Sequence, residues 1–321
     1  MRKYLPMNVT FTFSDIEPFV KQAERDFLIP VLSQAEYNQI EPNQSSSDPN
    51  IQKLLDKARA VVAPYALFLW IPFGQVQITS AGIQIASNAD VKTAFQWQIE
   101  GLQNTAQLLA YSCAEDLIKF LLPNKSIYTA WATSPEYARL FKLFINTAIE
   151  FNSYFEMGAS RYLFLQLIPT IQRVEKNSIL PILCKDLFNE IKAEILSGNI
   201  SVKNQALLEF IKPAIANLTI KNATGELLLR IERYTSTTLI GQQLPSDQGG
   251  TQDERNARLS LLRNEANTEA ESQLKQLSDY LYAHVSDYPL WSASACYVAP
   301  VDPSTIPIHI PFTNRGIYST I

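Results

Sequence analysis

An internal repeat constrains this chain more than any other feature. Residues 15–40, DIEPFVKQAERDFLIPVLSQAEYNQI, align without a gap on residues 166–191, QLIPTIQRVEKNSILPILCKDLFNEI, at a spacing of 151. Pro18 meets Pro169, Glu24 meets Glu175, Pro30 meets Pro181 and Asn38 meets Asn189. Further along, Leu54 and Leu55 meet Leu207 and Leu208 at 153, and ITSAGI (78–83) meets YTSTTL (234–239) at 156. Tyr128 and Trp131 then meet Tyr288 and Trp291 at 160, followed by Ser134 with Ser294 and Tyr137 with Tyr297. The spacing only grows, each step falls where a loop is plausible, and order is kept throughout. Shared helical periodicity accounts for paired leucines but not for paired prolines or a repeated Tyr-x-x-Trp. The chain therefore reads as a tandem duplication of a unit of about 120–130 residues.

Each copy opens on an amphipathic helix. In the first, Ile16, Val20, Ala23 and Phe27 recur at helical spacing behind SDIE, where Ser14 and Glu17 have the spacing of a capping box. Pro30 and Pro181 lack the N–H that a helix interior needs, so a stop or kink is expected before each. Ser33 and Glu36 form a second capping-box pair. A polar break follows in each copy, then a longer helix over about 51–70 and 203–220. VQITSAGIQIA (76–86) alternates around Ser-Ala-Gly and predicts a β-hairpin, with IERYTSTTLIG (231–241) as its counterpart. A long helix over about 252–285 carries Leu259, Leu262, Ala266, Ala270, Leu274, Leu277 and Leu281 as one stripe. Tyr128/Trp131 and Tyr288/Trp291 lie just beyond the long helices and are expected to cover their ends. With Pro30 and Pro181 they are the expected structural anchors.

The expected fold class is thus mainly α, with two tandem copies of a helical module, each with an inserted β-hairpin, plus an extended Pro-rich C-terminal arm. The divisions are a first module over 8–133, a connecting helix over 134–158, a second module over 159–297 and the arm over 298–321. Pro300, Pro303, Pro307 and Pro311 forbid a helix in the arm. Ile306, Ile308, Ile310 and Phe312 give it an apolar face that must be buried, on its own body or on a neighbouring subunit, and are the candidate subunit contacts.

Little in the chain speaks of chemistry. Two histidines, His284 and His309, have no partners at metal-ligand spacing. No Gly-x-Ser-x-Gly, His-Glu-x-x-His or phosphate-loop sequence occurs, and glycine is scarce at 10 of 321 residues. No catalytic residue, metal or cofactor is expected, and an enzyme is not the favoured reading. A net charge of −4 without a Lys/Arg run gives no pull towards nucleic acid, so no direct sequence-specific nucleic-acid contact is expected. The longest apolar run, AVVAPYALFLWIPF (60–73), is too short for a bilayer, and MRKYLPMNVTF has no signal-peptide core. A soluble protein made in the cytoplasm, with no membrane partner, is expected. Cys113, Cys184 and Cys296 are odd in number and far apart, and read as buried free thiols rather than a disulfide framework.

The phrase FLIPVLSQAEYNQI, followed by VQITSAGI and YTAW, resembles an uncharacterised family of bacteroidal genomes, prophages and phages. Its members read ILPxLGxxLYxxL, then ITxxGI, then YPxW. Ile29, Pro30, Leu32, Tyr37, Ile78, Thr79, Gly82, Ile83, Tyr128 and Trp131 match in the first copy. Leu180, Pro181, Leu183, Tyr288, Pro289 and Trp291 match in the second, which lacks the ITxxGI glycine. The order of helices with an inserted hairpin is similar to phage head–tail connector (adaptor) proteins. That resemblance implies a structural virion protein, a neck subunit forming a ring of its own copies at the portal vertex and touching portal and tail or neck proteins. The alternative is an intracellular enzyme or ligand-binding protein with a site between two lobes.

Overall fold

A computed structural model of the chain describes residues 3–4, 13–74, 76–79, 82–85, 94–157, 160–231 and 252–299. The first copy runs α1 (Phe13–Ala23), a π-helical turn (Glu24–Leu28), α2 (Ile29–Leu32), α3 (Gln34–Ile40), α4 (Pro49–Gly74), β1 (Val76–Thr79), β2 (Gly82–Ile85), α5 (Gln96–Leu121) and α6 (Thr129–Ala132). Two short helices, α7 (Pro135–Leu140) and α8 (Ala148–Asn152), connect to the second copy. That copy runs α9 (Arg161–Val174), a π-helical turn (Glu175–Ile179), α10 (Leu180–Ser197), α11 (Val202–Ile231), α12 (Gln252–Ala283) and α13 (Pro289–Ser292).

The prolines do not end the opening helices. Each is preceded by a π-helical turn, Glu24–Leu28 before Pro30 and Glu175–Ile179 before Pro181. The wider turn absorbs the hydrogen bond that proline cannot donate and the bulk of its ring, so the chain stays helical through the proline. The break comes three residues later, at Ser33 (φ 74°, ψ 151°) and Cys184 (φ 54°, ψ 168°). These are the only two non-glycine residues with positive φ among the described residues. Both sit where the related pattern ILPxLG places glycine, the residue that adopts this conformation without a Cβ penalty. Ser33 repays part of the strain as a cap, its Oγ accepting from the Glu36 N–H at 3.2 Å. Ser14, the other expected cap, lies inside α1, which already includes Phe13.

Each copy has its own core. In the first, α4 packs along α5 and α1 lies across α4, enclosing Leu28, Leu32, Leu54, Val61, Ala110, Leu117 and Trp131. In the second, α11 packs along α12 and α9 lies across α11, enclosing Ile171, Ile179, Leu183, Leu207, Ile211, Ala270, Leu277 and Trp291. The stripe expected on the long helix is realised by Ala266, Ala270, Leu277 and Leu281, all buried, with alanine letting α12 approach α11 closely.

Two expectations about the architecture are corrected. A hairpin in each copy does not hold, and the fold is in essence helical. The sole strand pairing among the described residues is antiparallel, Val76 opposite Ile85 through Thr79 opposite Gly82. Where the second hairpin was expected, from residue 231, α11 is still helical and continues to Ile231. The rest of that stretch, 232–241, lies outside the described residues, as does the arm from residue 300 onward. Nor is 134–158 a single connecting helix. Ser134 and Thr147 each cap a new helix by accepting from the N–H three residues on, and between α7 and α8 the chain is irregular. Ile145, Asn146 and Thr147 are poor helix formers, and packing on the second copy decides their path.

Candidate functional site

The equivalence of the two copies extends to single hydrogen bonds. Trp131 Nε1 donates to the Val31 carbonyl at 2.9 Å, and Trp291 Nε1 donates to the Ile182 carbonyl at 2.8 Å. Tyr128 Oη donates to the Asn50 carbonyl at 3.0 Å, and Tyr288 Oη to the Lys203 carbonyl at 2.6 Å. Ser134 Oγ and Ser294 Oγ donate to the carbonyls of Trp131 and Trp291. In each case donor and acceptor are related by the spacings read from the sequence. The indoles are fully buried and latch the chain after the long helix onto the helical turn that contains Pro30 or Pro181.

The same latch explains a pairing that sequence distance concealed. Cys184 lies two residues beyond the Ile182 carbonyl and Cys296 five beyond Trp291, and the two are joined as a disulfide with Cα atoms 5.8 Å apart. The expectation of three free thiols is therefore corrected. Cys113 alone is free, with its thiol pushed up by burial.

Where the copies differ is a groove between the opening helix, its π turn and the following long helix. In the second copy it is filled by the connecting segment. The Phe144 N–H donates to Glu175 Oε1 at 2.6 Å, and its ring meets Phe188 edge to face with centroids 5.2 Å apart. Lys192 Nζ pairs with Glu175 at 2.6 Å, donates to the Lys142 carbonyl at 2.8 Å and lies 4.0 Å from the Phe144 ring centroid. Lys212 pairs with Glu150. Burial raises Glu175 and draws Lys192 down to about 8, each opposed by the attraction of the other.

In the first copy the corresponding groove holds a cavity of about 280 Å³, walled in part by Tyr4 of the N-terminal segment and lined by Val20, Glu24, Leu28, Tyr37, Glu41 and Arg59, among others. These residues correspond in turn to Ile171, Glu175, Ile179, Phe188, Lys192 and Lys212. Tyr37 Oη donates to Glu24 Oε2 at 3.1 Å, and burial raises the pKa of both groups. Phe13 is 63% exposed, whereas its counterpart Phe164 is 2% exposed and packs on Phe151 of the connecting segment. The sequence reading did not single out this groove. Its signal was present in the aligned Glu24/Glu175 pair, which no packing pattern explained.

The connecting segment also joins the copies. Arg161 at the start of α9 and Glu115 on α5 form a buried ion pair at 2.8 Å, with side chains 1% and 5% exposed. The Ile149 N–H donates to the other oxygen of Glu115, Tyr111 meets Tyr162 edge to face, and Tyr137 Oη donates to the Leu196 carbonyl. Among the described residues no group of three or more His, Cys, Asp or Glu is placed to hold a metal. No helix there is long and apolar enough to cross a membrane. His284 stacks on Tyr280 with centroids 4.1 Å apart and has the Tyr280 carbonyl 2.9 Å from its Nδ1. Ile306, Ile308, Ile310 and Phe312 lie outside the described residues.

No curated protein and no solved structure matches the chain significantly. Residues 18–140 and residues 179–301 each match a family of unknown function, DUF6712. Together the two matches cover more than half of the chain and carry the same latched Tyr and Trp. The chain belongs to the DUF6712 family and contains that family's unit twice.

Proposed function

We propose that the chain is a structural subunit of a tailed-phage virion, a head–tail connector (neck or adaptor) protein that closes into a ring at the portal vertex. Its partners on this reading are further copies of itself, the portal protein and tail or neck proteins, and it has no catalytic centre. The observation that carries the reading is the relation between the two copies. A segment leaving the first fills a groove on the second, so the contact joins unlike surfaces and leaves one groove of the same kind open. Contacts of this heterologous type generate rings when the rotation closes. The order of motifs, similar to that of connector proteins, and the apolar C-terminal arm support the same assignment by analogy of architecture.

The test is the mass of the purified full-length protein by multi-angle light scattering, with negative-stain microscopy and mixing with the portal protein of the genome that encodes it. Rings, or a defined complex with the portal, are the expected results. A monomer at every concentration that ignores the portal would refute the reading. The alternative, an enzyme or binding protein with its site between the lobes, gains nothing from the groove, which is lined by residues on the first-copy side alone.

A further inference from the structure

The connecting segment has a second counterpart in the chain, beyond the repeat already described. FINTAI (144–149) matches FTNRGI (312–317): Phe144 with Phe312, Asn146 with Asn314, Ala148 with Gly316 and Ile149 with Ile317. The spacing is 168, following 160 at Ser134/Ser294 and Tyr137/Tyr297, so it grows once more in the same order. The eight additional residues fall in the Pro-rich stretch after Val298. Residues 312–317 thus stand to the second copy as residues 144–149 stand to the first. Residues 144–149 leave the first copy and fill the groove of the copy that follows, with Phe144 on Glu175, Phe188 and Lys192.

We propose that residues 312–317 of one chain dock in the open groove on the first copy of another chain, with Phe312 in the place that Phe144 takes against the second. The groove offers the matching groups. Glu24 stands where Glu175 accepts the Phe144 N–H, Tyr37 where Phe188 meets the Phe144 ring, and Phe13 is exposed where Phe164 is covered. Charge follows the substitution. Glu41 replaces Lys192, so the groove holds two carboxylates, Glu24 and Glu41, against the one cation of Arg59, and the arm carries Arg315 where the connecting segment has Thr147.

The occupant comes from a second chain because the relation between copies is not two-fold. The first copy packs α5 against α9, the opening helix of the second. A two-fold relation would set α12 against α1 in the same way, and among the described residues no comparable packing exists. The arm therefore repeats, from chain to chain, the step that the connecting segment makes within a chain. This contact rests on the reading of the chain as a self-assembling subunit and not on where the assembly sits.

The test places a photo-crosslinking p-benzoylphenylalanine at position 312 of the full-length protein. Isotopically heavy and light subunits are mixed, and crosslinked peptides are mapped by mass spectrometry. Mixed-isotope crosslinks from position 312 to the segment 13–41 or to the neighbourhood of Arg59 are expected. In parallel Phe312→Ala and Glu24→Gln should each reduce assembly at least tenfold in concentration dependence, with helical circular dichroism unchanged. Crosslinks within one chain, crosslinks to another surface, or none would overturn the proposal. If Phe312→Ala assembles like the parent, the arm contact is wrong while self-assembly stands. If the parent is itself monomeric, both fall.

Discussion

The buried ion pair between the copies allows a sharp perturbation. Arg161 and Glu115 are almost completely removed from solvent, so screening is weak and the loss of one partner strands the other charge. Arg161→Met keeps much of the side-chain volume and leaves Glu115 buried with only the Ile149 N–H as donor. Breaking such a pair costs about 3–5 kcal/mol. Arg161 Nε already lacks a hydrogen-bond partner, so the pair is incompletely satisfied and the lower end, about 3 kcal/mol, is expected. With a urea m-value of about 2 kcal/mol/M, the midpoint should fall by roughly 1.5 M. The double variant Arg161→Met/Glu115→Leu removes both charges. It should recover all but about 1 kcal/mol, the residue being the Ile149 N–H left without its acceptor. Urea unfolding followed by far-UV circular dichroism and tryptophan fluorescence compares the parent, the single variants Arg161→Met and Glu115→Leu, and the double variant. If either single change costs under 1 kcal/mol, or the double variant is merely the sum of the singles, the two copies do not share a desolvated charge pair and the account of their junction is wrong.

Other consequences are equally direct. Trp131→Phe and Trp291→Phe each strand one buried carbonyl and open a void, so each should cost about 3 kcal/mol by urea titration; a large loss at one site with none at the other would contradict the equivalence of the latches. Thiol titration under denaturing, non-reducing conditions should find one reactive cysteine, Cys113, and three after reduction. The disulfide closes a loop with a sequence separation of 112, worth up to about 4.7 kcal/mol by loop entropy, so reduction should lower the unfolding midpoint, and an unchanged midpoint would show that the bond constrains nothing. Glu24, Glu36 and Glu175 all have carboxyls raised by burial. Their contribution is fully present below the ordinary carboxylate pKa and lost as pH rises through the raised values. Stability should therefore rise as pH falls from neutral towards the ordinary carboxylate pKa, before Asp26 and Asp56, which are lowered by Arg25 and Lys3, begin to lose their partners. A midpoint that falls monotonically over that range would show these carboxyls to be less buried than described.

Much of the fold was legible because it rests on residues whose physics is local. Proline marks a missing donor wherever it stands, and the paired Pro30 and Pro181 located a helix irregularity in each copy, though as a π turn followed by a positive-φ break rather than a stop. Tyr-x-x-Trp was legible because large rings with one polar atom need a buried carbonyl and a fixed spacing. What stayed hidden depends on partners far away in the chain. The Cys184–Cys296 bond follows from the Trp291 latch, which joins points 109 residues apart. The path of 141–147 follows from Glu175, 31 residues beyond Phe144. The second hairpin was expected from residue 231, and there α11 runs on past its expected end.

The differences between the copies carry more information than their likeness. At the break after the proline, the first copy uses Ser33 as a cap and holds the Trp131 N–H with the buried Glu36 carboxylate at 3.0 Å. The second copy has Leu187 at the position of Glu36 and ties the same region with Cys184–Cys296. Both devices secure one loop to one latch, so that divergence leaves the geometry untouched. The groove diverged in the opposite sense. Replacing Lys192 by Glu41 removes the cation that bridges Glu175, the Lys142 carbonyl and the Phe144 ring, and sets a second carboxylate near Glu24. A groove so altered no longer neutralises itself. Arg59 offsets one of the two carboxylates, and burying Glu24 and Glu41 together would cost several kcal/mol unless the covering segment brings a second cation and a backbone donor. The first copy has therefore kept the shape of a docking site while changing the charge of the segment it accepts.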